Sequence, residues 1–189
     1  IPVVDELGRL VGRITIDDIL DVIKDEADKD YQLAAGISQD VEADDSILEL
    51  TRARLPWLVL ALLGGFITVR VLGLFEGAMA EHGKLFFFTP LIAAMAGNVG
   101  VQSSAIIVQG LANNTLSGSV FNRLIKEISL SLLNGVILAA ILFIGGHFLL
   151  NLELIEGMIV SGALISVLII SSLIGTFIPL LLDKFGIDP

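Results

Sequence analysis

Between Pro90 and Ser104 an apolar stretch carries Gly97, Asn98, Gly100, Gln102, Ser103 and Ser104. Glycines at such positions let a neighbouring backbone approach or leave carbonyl oxygens accessible. Asn98 offers an amide oxygen, and Gln102, four residues on, falls on the same helical face. No carboxylate stands in the stretch. Neutral oxygens of this kind suit a hard cation that keeps its water. Magnesium prefers oxygen ligands and dehydrates reluctantly, so a site can hold it through its hydration shell. The same residues also serve as small-residue packing and polar glue between helices. The residues alone leave both readings open.

The elements that must position this stretch are membrane helices. The apolar run around it, 85–111, is long enough to cross a bilayer, which takes about 20 helical residues. Polar groups at that depth need a neighbouring helix, a water-filled cavity or an ion. The chain has 189 residues, 54% of them hydrophobic, more than a water-soluble domain of this size hides. Further spans are expected at about 55–75, 128–150 and 158–182. Pro56 suits a first helical turn and Trp57 an interfacial belt. Gly64 and Gly65 allow close helix approach. Arg70 is expected to snorkel to the interface, the alternative being that it faces the bundle interior, and Glu76 is placed to pair with it. The segment Val120–Glu127 reads as an amphipathic turn or two lying at the interface. The third span carries Ser129, Ser131, Asn134, Gly135, Gly145 and Gly146, mostly packing positions, and His147 reads as an interfacial residue rather than a ligand. Pro179 should end or kink the fourth span.

Charge is distributed unevenly. Fourteen of the 21 acids precede Arg54, and the net charge is −10. A strongly acidic segment repels nucleic acid and attracts cations, although it also serves as a plain solvated surface. Arg52, Arg54, Arg123, Lys126 and Lys184 fall on one side of the expected spans and Lys84 on the other. The positive-inside rule therefore puts the acidic N-terminal region in the cytoplasm. The absence of cysteine excludes disulfides and thiolate metal sites. No nucleophile–base pair or phosphate loop is visible, so the chain reads as a non-enzyme; Asn98 and His147 would make a poor catalytic set.

Residues 1–27 read as strand, turn, strand and helix, with Asp17–Asp18 capping the helix. The pattern Pro2-Val-Val-Asp5, Gly8, Leu10-Val-Gly12, Ile14-Thr15 and Asp17-Asp18 resembles the last part of a CBS domain, a module that binds adenosyl ligands and gates attached proteins. The resemblance implies that Gly12, Thr15 and Asp18 contact an adenine nucleotide in a complete module; a purely capping role for Asp18 is the alternative. A connecting helix is expected from about Asp44 to Arg54, leading into the membrane.

Pro90-Leu-Ile-x-x-Met-x-Gly97-Asn98-Val-Gly100-x-Gln102-Ser-Ser104 resembles the second membrane helix of MgtE-type magnesium channels. Arg54-Leu-Pro56-Trp57-Leu58, Phe75-Glu76, Gly175-Thr176 with Pro179, and Gly186-Ile-Asp-Pro189 match the same family in order. The resemblance implies a homodimer with the ion path on its axis. It implies that Gly97 and Asn98 border hydrated Mg2+, with Pro90, Gly100, Val101 and Gln102 lining the path. Set against the resemblance, Val101 departs from those members that carry a polar residue at that position. The family's main selectivity carboxylate lies on a fifth span, expected beyond Pro189, so the chain reads as cut at both ends. The resemblance further implies feedback, cytosolic Mg2+ bridging acids to hold the path shut. The candidate acids are Asp21, Asp25, Asp44, Asp45 and Asp188.

The expected architecture is therefore mainly α: the tail of an α/β CBS domain over 1–38, a connecting, plug-like helix over 39–54, and a polytopic α-helical membrane domain over 55–189. The expected function is import of Mg2+ across the inner (plasma) membrane by a homodimer in the lipid bilayer, gated by cytosolic Mg2+ and without nucleic-acid partners. The alternatives are transport of another divalent cation such as Co2+ or Mn2+, and a membrane signalling or scaffold protein with a nucleotide-sensing CBS domain.

Overall fold

The computed structural model describes residues 1–116 and 118–187. It divides into two compact units, Ile1–Glu76 and Gly77–Pro189.

In the first unit, strands β1 (Pro2–Val4) and β2 (Leu10–Arg13) pair antiparallel, Pro2 opposite Arg13 and Val3 opposite Gly12. Asp5 closes the turn between them: its Oδ1 accepts from the Leu7 and Arg9 amides at 2.9 and 2.8 Å. Helix α1 (Ile16–Ala34) follows and runs well past the end expected at residue 27. Its N-cap is Thr15, not the Asp17–Asp18 pair. Asp17 already lies inside the first turn, whereas Thr15 has the extended backbone that frees a side chain to cap. The helix ends in a Schellman arrangement. Gly36 takes φ +78°, its amide donates to the Leu33 carbonyl, and the Ile37 amide donates to the Gln32 carbonyl.

Helix α2 (Ile47–Gly73) opens with a capping box, Ser46 against Glu49. It unites the expected connecting helix and first span in one element that passes through Pro56 without ending. The segment before it is tied down at three points. The Ser38 amide donates to the Ala53 carbonyl at 2.9 Å. The Gln32 amide group bonds the backbone of Val41 in both directions, at 2.9 and 3.1 Å. Gly36 lies on the indole of Trp57, where any side chain would overlap the ring. Among the described residues Arg70 makes no ion pair with Glu76.

The second unit is a helical bundle. After the short helices α3 (Glu76–Glu81) and α4 (Gly83–Phe86) come α5 (Thr89–Ala112), α6 (Val120–Leu150) and α7 (Leu154–Lys184). Helix α7 packs against both α5 and α6. Val120–Glu127 is not a separate interfacial segment but the first two turns of α6, started by the Ser119 side chain at the N-cap. The turn from α6 to α7 uses Asn151 in the left-handed region, φ 52°. Leu152 then folds back over Gly146: its amide donates to the Gly146 carbonyl at 3.0 Å, and its own carbonyl meets His147 Nδ1 at 3.0 Å. Leu152 packs there with Phe88 and Val160. Pro179 does not end α7, which continues to Lys184 with the proline ring buried.

Small and hydroxylated residues hold α6 to α7. Ser131 Oγ donates to Ser172 Oγ at 2.6 Å, Ser161 Oγ donates to the Ala139 carbonyl at 3.1 Å, and Gly135 lies against Ile165. These buried serines each meet an oxygen on the facing helix, the arrangement membrane helices use where burial of apolar surface drives nothing. Among the described residues four helical stretches are long and apolar enough to cross a membrane: Ile47–Gly73, Gly83–Ala112, Val120–Leu150 and Leu154–Lys184.

Candidate ion-path helix

Helix α5 has two faces, and the bundle covers one of them. Ala96, Gly100, Ser103, Ile107 and Gly110 recur at three- and four-residue spacing; Ser103, Ile107 and Gly110 are buried. Ser171 Oγ of α7 donates to the Ala96 carbonyl at 2.5 Å. One turn on, Gly175 meets the carbonyl oxygen of Gly100. On the α6 side, Ser103 Oγ donates to Glu127 Oε1 at 2.5 Å. Pro90, Gly97, Asn98 and Val101 lie on the other face, all exposed, Val101 at 69%. Among the described residues the Asn98 side chain makes no hydrogen bond, and a Cβ on Gly97 would meet nothing.

The residues singled out in this helix therefore separate. Gly97, Asn98, Val101 and Pro90 stay together on the open face. Gly100 sits in the α5–α7 contact, where a Cβ would come within 2.9 Å of Ser171 Oγ. Gln102 lines a small cavity of about 60 Å³ with Ser103, Glu127, Ser131, Asn134 and Leu168. Gln102 is exposed like Asn98 one turn before it, but of the two it alone also lines the cavity. Glu127 is a residue that the sequence pattern does not single out. Its pairing with Ser103 spans 24 residues and depends on α6 starting at Val120 rather than after Glu127.

In the first unit the nucleotide candidates divide similarly. Thr15 and Asp18 are engaged with each other: Asp18 Oδ2 accepts from the Thr15 amide and hydroxyl, both at 2.7 Å. The Thr15 amide, and next its hydroxyl, hold the Asp18 carboxyl below the ordinary aspartate range. Gly12 lies on the exposed β2 strand with open space where a Cβ would stand. Of the acids, Asp21 and Asp25 share an exposed face of α1, one turn apart. Asp44 and Asp45 precede α2, and Asp45 Oδ2 accepts from the Glu42 amide at 2.8 Å. Among the described residues no three Asp, Glu, His or Cys side chains converge as a metal cluster. Asp188 lies outside the described residues.

Apolar helices of membrane-spanning length, joined by buried hydroxyls and carrying a glycine–asparagine pair on an open face, define a multi-pass α-helical membrane protein. Comparison with known sequences gives its family. The MgtE profile, described as a divalent cation transporter, matches residues 89–189, and the chain belongs to that family. It is 36% identical over 190 residues to the magnesium transporter MgtE of Bacillus subtilis and 37% identical over 191 residues to that of Enterococcus faecalis. It is 34% identical over 196 residues to that of Thermus thermophilus. All of this chain is covered in each case, and it spans 42% of the length of each of these relatives.

Proposed function

We propose that this chain belongs to a magnesium channel or transporter of the inner (plasma) membrane, in which the open face of α5 forms part of the ion path. The observation that carries this reading is the placement of Gly97 and Asn98. Asn98 is a polar side chain and Gly97 a bare stretch of backbone at the middle of a mainly apolar helix, and both occupy the face that α6 and α7 leave uncovered. An amide oxygen beside exposed helix backbone can accept hydrogen bonds from the water shell of Mg2+ without stripping it, as so strongly hydrated an ion requires. The path is completed at a homodimer axis by the facing α5 and by a carboxylate on a further span.

The cytosolic region acts in this reading as the sensor. Asp21, Asp25, Asp44, Asp45 and Asp188 are the acids that Mg2+ neutralises, shifting the population toward a closed state. Residues 1–38 are the end of a CBS domain, whose completed form takes an adenine nucleotide near Gly12. The continuous helix α2 gives the sensor a rigid connection to the membrane: it starts next to Asp45 and runs into the first span.

The deciding experiment replaces Asn98 by Ala in the full-length protein and measures Mg2+ uptake in a host lacking its own magnesium transporters. Uptake should fall by up to about tenfold, the scale of one hydrogen bond to a water of the ion's shell. Unchanged uptake at equal expression would remove Asn98 from the path.

A further inference from the structure

Helix α7 grips α5 at the turn that presents Gly97 and Asn98. Ser171 Oγ donates to the Ala96 carbonyl at 2.5 Å. That carbonyl belongs to the same rigid peptide unit as the Gly97 amide. Within an α-helix it already accepts the Gly100 amide, so Ser171 uses its second lone pair. The next contact is four residues on along both helices, Gly100 against Gly175, with no side chain on either. Ser171 Oγ occupies the space a Cβ on Gly100 would need. Donor, acceptor and missing side chains thus fix how far α5 is rotated and how deeply it is seated.

We propose that Ser171 is a positioning residue for the ion path: by holding the Ala96 carbonyl it sets the orientation of the turn that carries Gly97 and Asn98. The proposal rests on the reading of that face as part of the path. Ser171 does not touch the ion. Its hydroxyl lies on the α7 side of α5, away from the open face of Asn98, and its effect passes through the peptide between Ala96 and Gly97.

The test uses full-length protein in liposomes and compares Ser171→Ala, Ser171→Thr and Asn98→Ala. Three readouts are taken: the KM and maximal rate of Mg2+ uptake, inhibition by Mn2+, and thermal unfolding in detergent. Ser171→Ala should change the KM for Mg2+ and the Mn2+/Mg2+ discrimination by about two- to tenfold, the range set by loss of one hydrogen bond. The maximal rate should change less, and Ser171→Thr, which keeps the hydroxyl, should restore both values. The proposal is overturned if Ser171→Ala leaves KM and discrimination unchanged while Asn98→Ala impairs uptake. It is overturned equally if the Ala and Thr variants behave alike, since packing rather than the donor would then matter. If Asn98→Ala is itself silent, the path reading fails and the positioning role falls with it.

Discussion

Gly175 of α7 rests on the carbonyl oxygen of Gly100 in α5, close enough that a Cβ at residue 175 would overlap that oxygen. The contact depends on the missing side chains of both glycines, and it brings the helix backbones together where Ser171 bonds Ala96. The same turn of α7 sends Ser172 and Thr176 the other way: both are buried, and Ser172 bonds Ser131 of α6. Helix α7 is therefore the shared partner through which α5 and α6 are placed.

Replacing Gly175 by Ala should push α5 from α7 rather than be absorbed, because the obstacle is a backbone oxygen and not a flexible side chain. Overpacking of a close helix contact destabilises by about 1–3 kcal/mol. The expected outcome is a lower unfolding temperature in detergent together with loss of uptake. Gly97→Ala, whose Cβ meets open space inside the helix, should not lower the unfolding temperature. If the two variants melt alike, the close crossing at Gly100 is wrong.

Glu127 and Ser103 form a contact between α5 and α6. Ser103 is 5% exposed, so its hydroxyl cannot turn to bulk water when its acceptor is lost. Glu127→Ala should destabilise the protein by about 1–3 kcal/mol through the orphaned hydroxyl. Glu127→Gln keeps an oxygen acceptor of the same shape and should lose less. Unfolding in mild denaturing detergent mixtures would rank the three proteins; an order other than wild type, Gln, Ala would refute the hydrogen bond as a stabilising contact.

Long apolar runs made the four helices of membrane-spanning length among the described residues legible, and strand–turn–strand–helix patterning gave the β1–β2–α1 unit. What could not be read depends on rotation and on distant partners. Gly97 and Gly100 are the same residue type three positions apart, but one faces outward and the other packs on α7; periodicity gives the angle between them and not which way the helix turns. Ser171 and Ala96 are 75 residues apart, and nothing local marks the serine as a clamp. Two adjacent acids draw the expected N-cap of α1 away from Thr15, although the capping box with Asp18 is a sequence pattern in its own right. Pro179 reads as a breaker, yet within a membrane bundle neighbouring helices and serine or threonine side chains let a helix continue past it.

The capping box at the start of α1 predicts an acid-sensitive helix end. The folded-state pKa of Asp18 is depressed, chiefly by the Thr15 amide. Its contribution is therefore fully present above the ordinary aspartate pKa of about 4 and is lost as pH falls through the lower folded value. Amide exchange in the first turn of α1, corrected for intrinsic pH dependence, should lose protection below about pH 4. In Asp18→Asn that dependence should vanish. Equal pH dependence in both proteins would assign the effect to another carboxylate.

The acids before α2 make a prediction about magnesium itself. Asp44 and Asp45 lie beside the helix start, and the segment 36–41 is strapped to α1 and α2 through Gln32 and Ala53. In the sensor reading proposed above, repulsion between the adjacent Asp44 and Asp45 carboxylates works against that strapping, and a divalent cation relieves it. Trypsin should therefore cut after Lys29 and Arg52 more slowly in millimolar Mg2+ than in EDTA. Sodium at matched ionic strength should protect much less, because general screening weakens the repulsion without bridging the acids. Replacing Asp44 and Asp45 together by Asn should remove most of the difference between the two conditions, with cleavage in EDTA slowed toward the magnesium rate. Cleavage of the unaltered protein at the same rate in Mg2+ and EDTA would show that these acids are a solvated surface and not a sensor.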